Sequence, residues 1–106
     1  MTDNISQLLQ TAQQMQGRLS QIQTELASKT VTGSAGGGMV AATADGRGRI
    51  RSMKIDPSLM SEGDVEMLED LVAAAVSEAQ RKAEDLYKEE MRKITGGLQL
   101  PFQLPL

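Results

Sequence analysis

The sequence predicts an α+β fold, with an N-terminal helix, a three-stranded antiparallel sheet and a long C-terminal helix, assembled as a homodimer. Three observations predict it. Apolar residues at heptad spacing open the chain, short β-type runs broken by glycine fill its middle, and a second amphipathic stretch closes it. That last stretch carries more apolar surface than a chain of 106 residues can cover by itself. A single domain of this size buries only a modest share of its unfolded surface, so stability shared between subunits is expected. Phe102 and Tyr87 are the only aromatics, and the seven Met give soft packing that suits helix seams and interfaces.

In the first element Ile5, Leu8, Ala12, Met15, Leu19, Ile22 and Leu26 alternate spacings of three and four, which is a heptad seam. A helix over residues 1–28 follows. Glutamines fill its other faces, and Arg18 is its only base. Gly17 reads as a tolerated exposed glycine. Residues 29–57 read as a β-meander: a run at 30–32, a Gly-rich loop at 33–38, a run at 39–44, an Asp45-Gly46 hairpin turn and a last run at 47–55. The last run has a register conflict, because Ile50 has the opposite parity to Met53 and Ile55. Either a bulge intervenes or the start of the strand overhangs the core.

Asp56-Pro57 ends the meander and residues 58–63 make a turn, with Ser61 and Asp64 spaced as a capping box. The long helix is placed at 62–95, about 45 Å for its central thirty residues at 1.5 Å per residue. Its seam runs Val65, Leu68, Val72, Ala75, Ala79 and Ala83. The first half is expected to pack on the sheet and on the partner subunit, with Leu68, Leu71, Val72, Ala75, Val76 and Ala79 as candidate interface residues. The second half is expected to project as an arm. Gly96-Gly97 would cap it, and residues 98–106, with Pro101 and Pro105, read as an extended apolar tail.

Composition excludes much chemistry. There is no Cys and no His, so disulfides, thiolate metal sites and the commonest general base are unavailable. Gly36-Gly37-Gly38 is followed by a strand rather than a helix bearing Lys and Ser or Thr, so it is not a phosphate loop. The paired acids Glu69-Asp70, Glu84-Asp85 and Glu89-Glu90 read as the solvated face of a helix, part of it in favourable i to i+4 order with Lys88 and Lys93. No enzyme activity, cofactor, metal or small-molecule substrate is expected. Apolar runs fall far short of a membrane span and the start lacks a basic secretion signal, so the expectation is a soluble, intracellular protein.

The net charge is -3, but its distribution is uneven. Glu62, Asp64, Glu66, Glu69 and Asp70 form an acidic run, whereas residues 29–56 hold five bases against two acids. Arg47, Arg49 and Arg51 alternate, so on a strand all three would share one face. Arg81, Lys82, Lys88, Arg92 and Lys93 form a second basic group on the long helix, diluted by its acids. Both groups are candidates for contacting DNA phosphates, the strand arginines a little ahead.

Ala12-Gln13-Gln14-Met15-Gln16, Val31-Thr32-Gly33, Ile55-Asp56-Pro57-Ser58-Leu59, the segment from Glu66 through Leu68-Glu69-Asp70-Leu71 to Ala75, and Gly97-Leu98-Gln99-Leu100-Pro101 together resemble the YbaB/EbfC family of bacterial nucleoid-associated proteins. The resemblance spans nearly the whole chain. It implies one YbaB-like domain over residues 1–106, a tweezer-like homodimer, location in the cytoplasm at the nucleoid, and binding of double-stranded DNA with little sequence preference, with effects on nucleoid organisation and gene expression. Arg81, Lys82 and Lys88 match basic positions of the family's second long helix. A protein-interaction adaptor for recombination or replication proteins, using the neutral Gln face and the apolar tail, is the alternative.

Overall fold

The computed structural model describes residues 2–61 and 63–95. The order of elements is α1 (Thr2–Ser28), β1 (Thr30–Ala35), β2 (Val40–Asp45), β3 (Ile50–Ile55), α2 (Ser58–Ser61) and α3 (Val65–Thr95). The α+β architecture expected from the sequence is present. The capping Gly96-Gly97 and the tail at 98–106 lie outside the described residues.

The strands form one antiparallel meander in the order β1-β2-β3. Val40, Ala42 and Ala44 on the inner face of β2 are fully buried, with Ala75 and Ala79 of α3 laid over them. Glycine permits that close approach. A Cβ at Gly33, which pairs with Ala42, would collide with the backbone of Ala75 and Ala79. The expected loop at 33–38 is therefore shorter: residues 33–35 are ladder residues, and the turn is made by Gly36, Gly37 and Gly38, all at positive φ, with Met39. Glycine at 33 marks a helix crossing rather than a break in the strand.

The register conflict in the third strand is resolved by a bulge. Ser52 pairs with Thr43 but Ile50 pairs with Ala44, which leaves Arg51 as the extra residue. Ile50, Met53 and Ile55 thus stand opposite Ala44, Ala42 and Val40, on the inner face. Arg47 and Arg49 are not strand residues, and the alternation that would have put three arginines on one strand face does not occur. Nor is Asp45-Gly46 a two-residue turn. The connection spans residues 46–49, and its positive φ falls on Gly48.

Residues 58–61, expected as a turn, form the short α2, whose Leu59 seals the core. Ser61 Oγ donates to Ser58 O within it, and the cap of α3 is Asp64 instead, whose Oδ1 accepts from Met67 N at 3.0 Å. Gly63, immediately before Asp64, is at positive φ, 72°.

The projecting element is α1, not the second half of α3. Helix α3 stays on the body as far as Glu90, with Ala75, Ala79, Ala83 and Glu90 all buried along one stripe. Helix α1 is held only near its end, where Leu26 is buried, and its seam is otherwise open: Leu8 is 70% exposed. At 1.5 Å per residue its 27 residues make a rod of about 40 Å. The protomer accordingly measures 73 × 24 × 16 Å with a radius of gyration of 20.0 Å, against about 13 Å for a compact chain of this length.

Candidate DNA interface

The centre of the basic region is a buried acid. Asp45, at the end of β2, is 0% exposed. Its Oδ1 accepts from the backbone N–H of Arg47 at 2.9 Å and of Arg49 at 3.1 Å. Its Oδ2 takes the Arg51 guanidinium, at 3.0 Å from Nε and 2.8 Å from the terminal nitrogen. The backbone closes the same turn, Asp45 N donating to Arg49 O and Gly48 N to Asp45 O. Burial pushes the Asp45 carboxyl upward, but the N–H groups of Arg49 and Arg47 and the Arg51 charge outweigh it and hold the group below its ordinary value.

Two further bonds fix this turn to the helices. Gly46 N donates to Leu26 O at 2.8 Å, satisfying a terminal carbonyl of α1, and a Cβ at Gly46 would stand 2.7 Å from that oxygen. Gln80 Nε2 of α3 donates to Gly48 O at 3.2 Å. Between them lies a cleft of about 350 Å³ whose walls include Leu26, Arg47, Ala83, Glu84 and Tyr87. Close by, Lys29 Nζ meets Glu90 Oε1 at 2.9 Å. That hydrogen bond lowers the Glu90 pKa against the opposing effect of burial, and it raises that of Lys29. Glu90 is the exception to the solvated reading of the paired acids, for it sits on the stripe of Ala79 and Ala83.

The basic side chains divide sharply. On α3, Arg81 pairs with Asp85, Lys82 with Glu78, Lys88 with Glu84, Arg92 with Glu89 and Lys93 with Glu90, at 3.2–3.4 Å. Lys82 Nζ also donates to Thr32 O of β1 at 2.8 Å. Arg51 is engaged by Asp45. By contrast Arg18, Arg47, Arg49 and Lys54 have no carboxylate within 4 Å among the described residues, and all four are exposed. The strand group and the helix group of arginines and lysines thus become one turn with open bases and one helix with neutralised bases.

Of the expected interface residues, Ala75 and Ala79 are wholly covered by the protomer's own sheet and have no surface left for a partner. Leu71 packs over Gly36 on the β1 side. Leu68, Val72 and Val76 are half-buried. Helix α3 lies over β1 and β2 and hardly touches β3, so it does not cover the inner-face residues Ile50, Met53 and Ile55.

Sequence reasoning missed Asp45 and the Lys29–Glu90 pair. An Asp followed by Gly-Arg-Gly carries the signature of a side chain bonding the backbone two residues on. The spacing of Glu90 from Ala83, seven residues, also marks it as a stripe position.

The chain has a two-layer α+β fold in which two open arginines, Arg47 and Arg49, share one turn. It belongs to the YbaB/EbfC DNA-binding family, whose model matches residues 1–98. It is 51% identical over 98 residues to a nucleoid-associated protein of Thermoanaerobacter pseudethanolicus, covering 92% of this chain and 88% of that one. A nucleoid-associated protein of Desulfotalea psychrophila is 49% identical, with 92% of each chain covered. Among solved structures, an uncharacterized protein of Helicobacter pylori, HP0035, superposes with a TM-score of 0.78 at 26% identity, covering 86% of this chain and 96% of the other.

Proposed function

We propose that the protein is a homodimeric, non-enzymatic component of the bacterial nucleoid that binds double-stranded DNA through its phosphates with little sequence preference. Membership of a DNA-binding family supports the class of partner. The observation that carries the phosphate reading is the set of open bases, Arg18, Arg47, Arg49 and Lys54, in a chain whose other bases are mostly paired. Phosphate contacts position a protein on a duplex but carry no sequence information, which fits binding with little sequence preference.

A net charge of -3 does not oppose this reading. Exposed charges act over about 8 Å at physiological ionic strength. Gln80, which holds the turn, lies about 15 Å along α3 from Asp70, the end of the acidic run. The turn is thereby screened from it. Dimerisation places a second turn on the same particle, and we assign the subunit contact to the uncovered inner face of β3 with the adjoining flank of α3, Val72 and Val76.

A mobility-shift titration of duplex DNA at several salt concentrations tests the function. The expected result is binding at low salt that weakens steeply as salt rises, independent of duplex sequence. Absence of binding at low salt, or affinity indifferent to salt, refutes it. Nucleoid organisation and gene expression would follow from occupancy of the chromosome. Recruitment of recombination or replication proteins is the competing reading, favoured by the open apolar seam of α1. Partners that survive nuclease treatment of a lysate would support it over DNA.

A further inference from the structure

The geometry points to the turn over residues 46–49 as a preorganised phosphate clamp, with Arg47 and Arg49 as its contacts and Asp45 as the positioning residue that shapes it; this rests on the DNA-binding reading above. A flexible basic loop would lose conformational freedom on binding. Here that freedom is already removed. The backbone N–H groups of Arg47 and Arg49 both point at one buried oxygen, Asp45 Oδ1. The outer carbonyls are tied by Gly48 N and Gln80 Nε2, and the turn's first residue is locked against the end of α1. With both N–H groups directed inward, the two side chains leave the turn outward, exposed and without a carboxylate partner among the described residues.

The second oxygen of Asp45 explains why Arg51 differs from its neighbours. The bulge at Arg51 frees it from the ladder and turns its guanidinium onto Oδ2 at 2.8 Å. Arg51 therefore balances the buried charge, and Arg47 and Arg49 are left uncompensated. One aspartate thus both shapes the turn and chooses which arginines remain available. Three arginines in five residues would otherwise compete for the same acid.

The proposal and simple charge attraction predict opposite signs for one substitution. Asp45→Ala removes a negative charge from a basic region, so unstructured electrostatics predicts tighter DNA binding. If Asp45 positions the clamp, the variant binds more weakly despite its more favourable charge. Asp45→Asn, which keeps an oxygen for the two N–H groups but cannot neutralise Arg51, recovers part of the loss. In parallel, Arg47→Ala/Arg49→Ala lowers the slope of log affinity against log salt by about 0.9 for each phosphate contact removed, or about 1.8 for one engaged turn.

The experiment is a titration of a fluorescent duplex by anisotropy across a salt series, on the full chain, with circular dichroism confirming the fold of each variant. No binding by the unmodified protein at low salt refutes the DNA-binding reading and the clamp with it. Binding by the unmodified protein with an unchanged slope in the double arginine variant overturns the clamp alone. Binding by Asp45→Ala as tight as or tighter than the parent overturns the positioning role. Should Asp45→Ala fail to fold, the double arginine variant, altered only at exposed side chains, decides.

Discussion

Replacing Gly33 by Ala tests whether the helix crossing described above sets the stability of the domain. The added Cβ would meet Ala79 N, Ala75 O and, at 2.8 Å, Ala79 Cα. All three are backbone atoms, so no side chain can rotate out of the way. Carbon atoms sit best at about 3.5–4.0 Å, so α3 must lift by about 1 Å. The lift opens the face where Val40, Ala42, Ala44, Ala75 and Ala79 are fully buried. Overpacking of this kind costs about 1–3 kcal/mol, and backbone on both sides of the contact places this case near the upper end. In a domain of this size each kcal/mol corresponds to roughly 4–8 °C, so the melting temperature should fall by about 12–24 °C. Thermal melts by far-ultraviolet circular dichroism measure it directly, at fixed protein concentration because the proposed dimerisation would shift the midpoint. A fall smaller than about 4 °C would mean less than 1 kcal/mol, and would refute the claim that glycine is required there for helix approach.

Three other outcomes follow from the same geometry. Gly17→Ala, in the exposed middle of α1 with nothing within 4 Å of the new Cβ, should stabilise the protein by about 0.5–1 kcal/mol and raise the melting temperature; a decrease would show that α1 is covered there. Asp45 and Glu90 both have pKa values held below the ordinary carboxylate range in the folded state, so their stabilisation is present above that range and lost as pH falls through the lowered values. Lys29→Met should therefore move acid unfolding to higher pH, and an unchanged midpoint would contradict the pairing. The Lys29 pKa is raised above 10.5, so its own contribution persists through neutral pH and is lost only in strong alkali. Met53→Asp, on the inner face of β3, should convert the proposed dimer to a monomer by light scattering while helix content is kept; a dimer mass unchanged by the substitution would move the subunit contact elsewhere.

The elements were legible in the sequence because each rests on a periodicity. The three-four alternation from Ile5 to Leu26 fixes a helix whatever covers it, and the turn residues between β-type runs fix a meander. Coverage is what periodicity does not specify. The seams of α1 and α3 look alike as patterns, yet the α3 seam lies beneath a sheet and most of the α1 seam is open. Gly33 is ambiguous for a related reason, since glycine ends a strand and also admits a helix across one. The candidate site was legible as a region and not as an arrangement. Arg47, Arg49 and Arg51 stand out by spacing, but their separation into two contacts and one counterion depends on a bulge and on the burial of Asp45.

That burial also explains how an acidic protein can present a basic surface. Five bases of α3 are held by acids three or four residues away. The pairs that are exposed on both sides contribute only a few tenths of a kcal/mol each, so they matter less for stability than for removing net field from the helix. Asp45 does the reverse within the turn. It takes up Arg51 and two backbone N–H groups, leaving the charges of Arg47 and Arg49 without a carboxylate partner among the described residues. Because Gly46 of that turn also satisfies Leu26 O, the base of the projecting α1 and the open arginines share one hydrogen-bonded root. A perturbation at Asp45 should thus be felt at the end of α1 as well as in the turn. Hydrogen exchange of the Gly46 amide in Asp45→Ala would show it: faster exchange is expected, and protection equal to the parent would separate the arm from the turn.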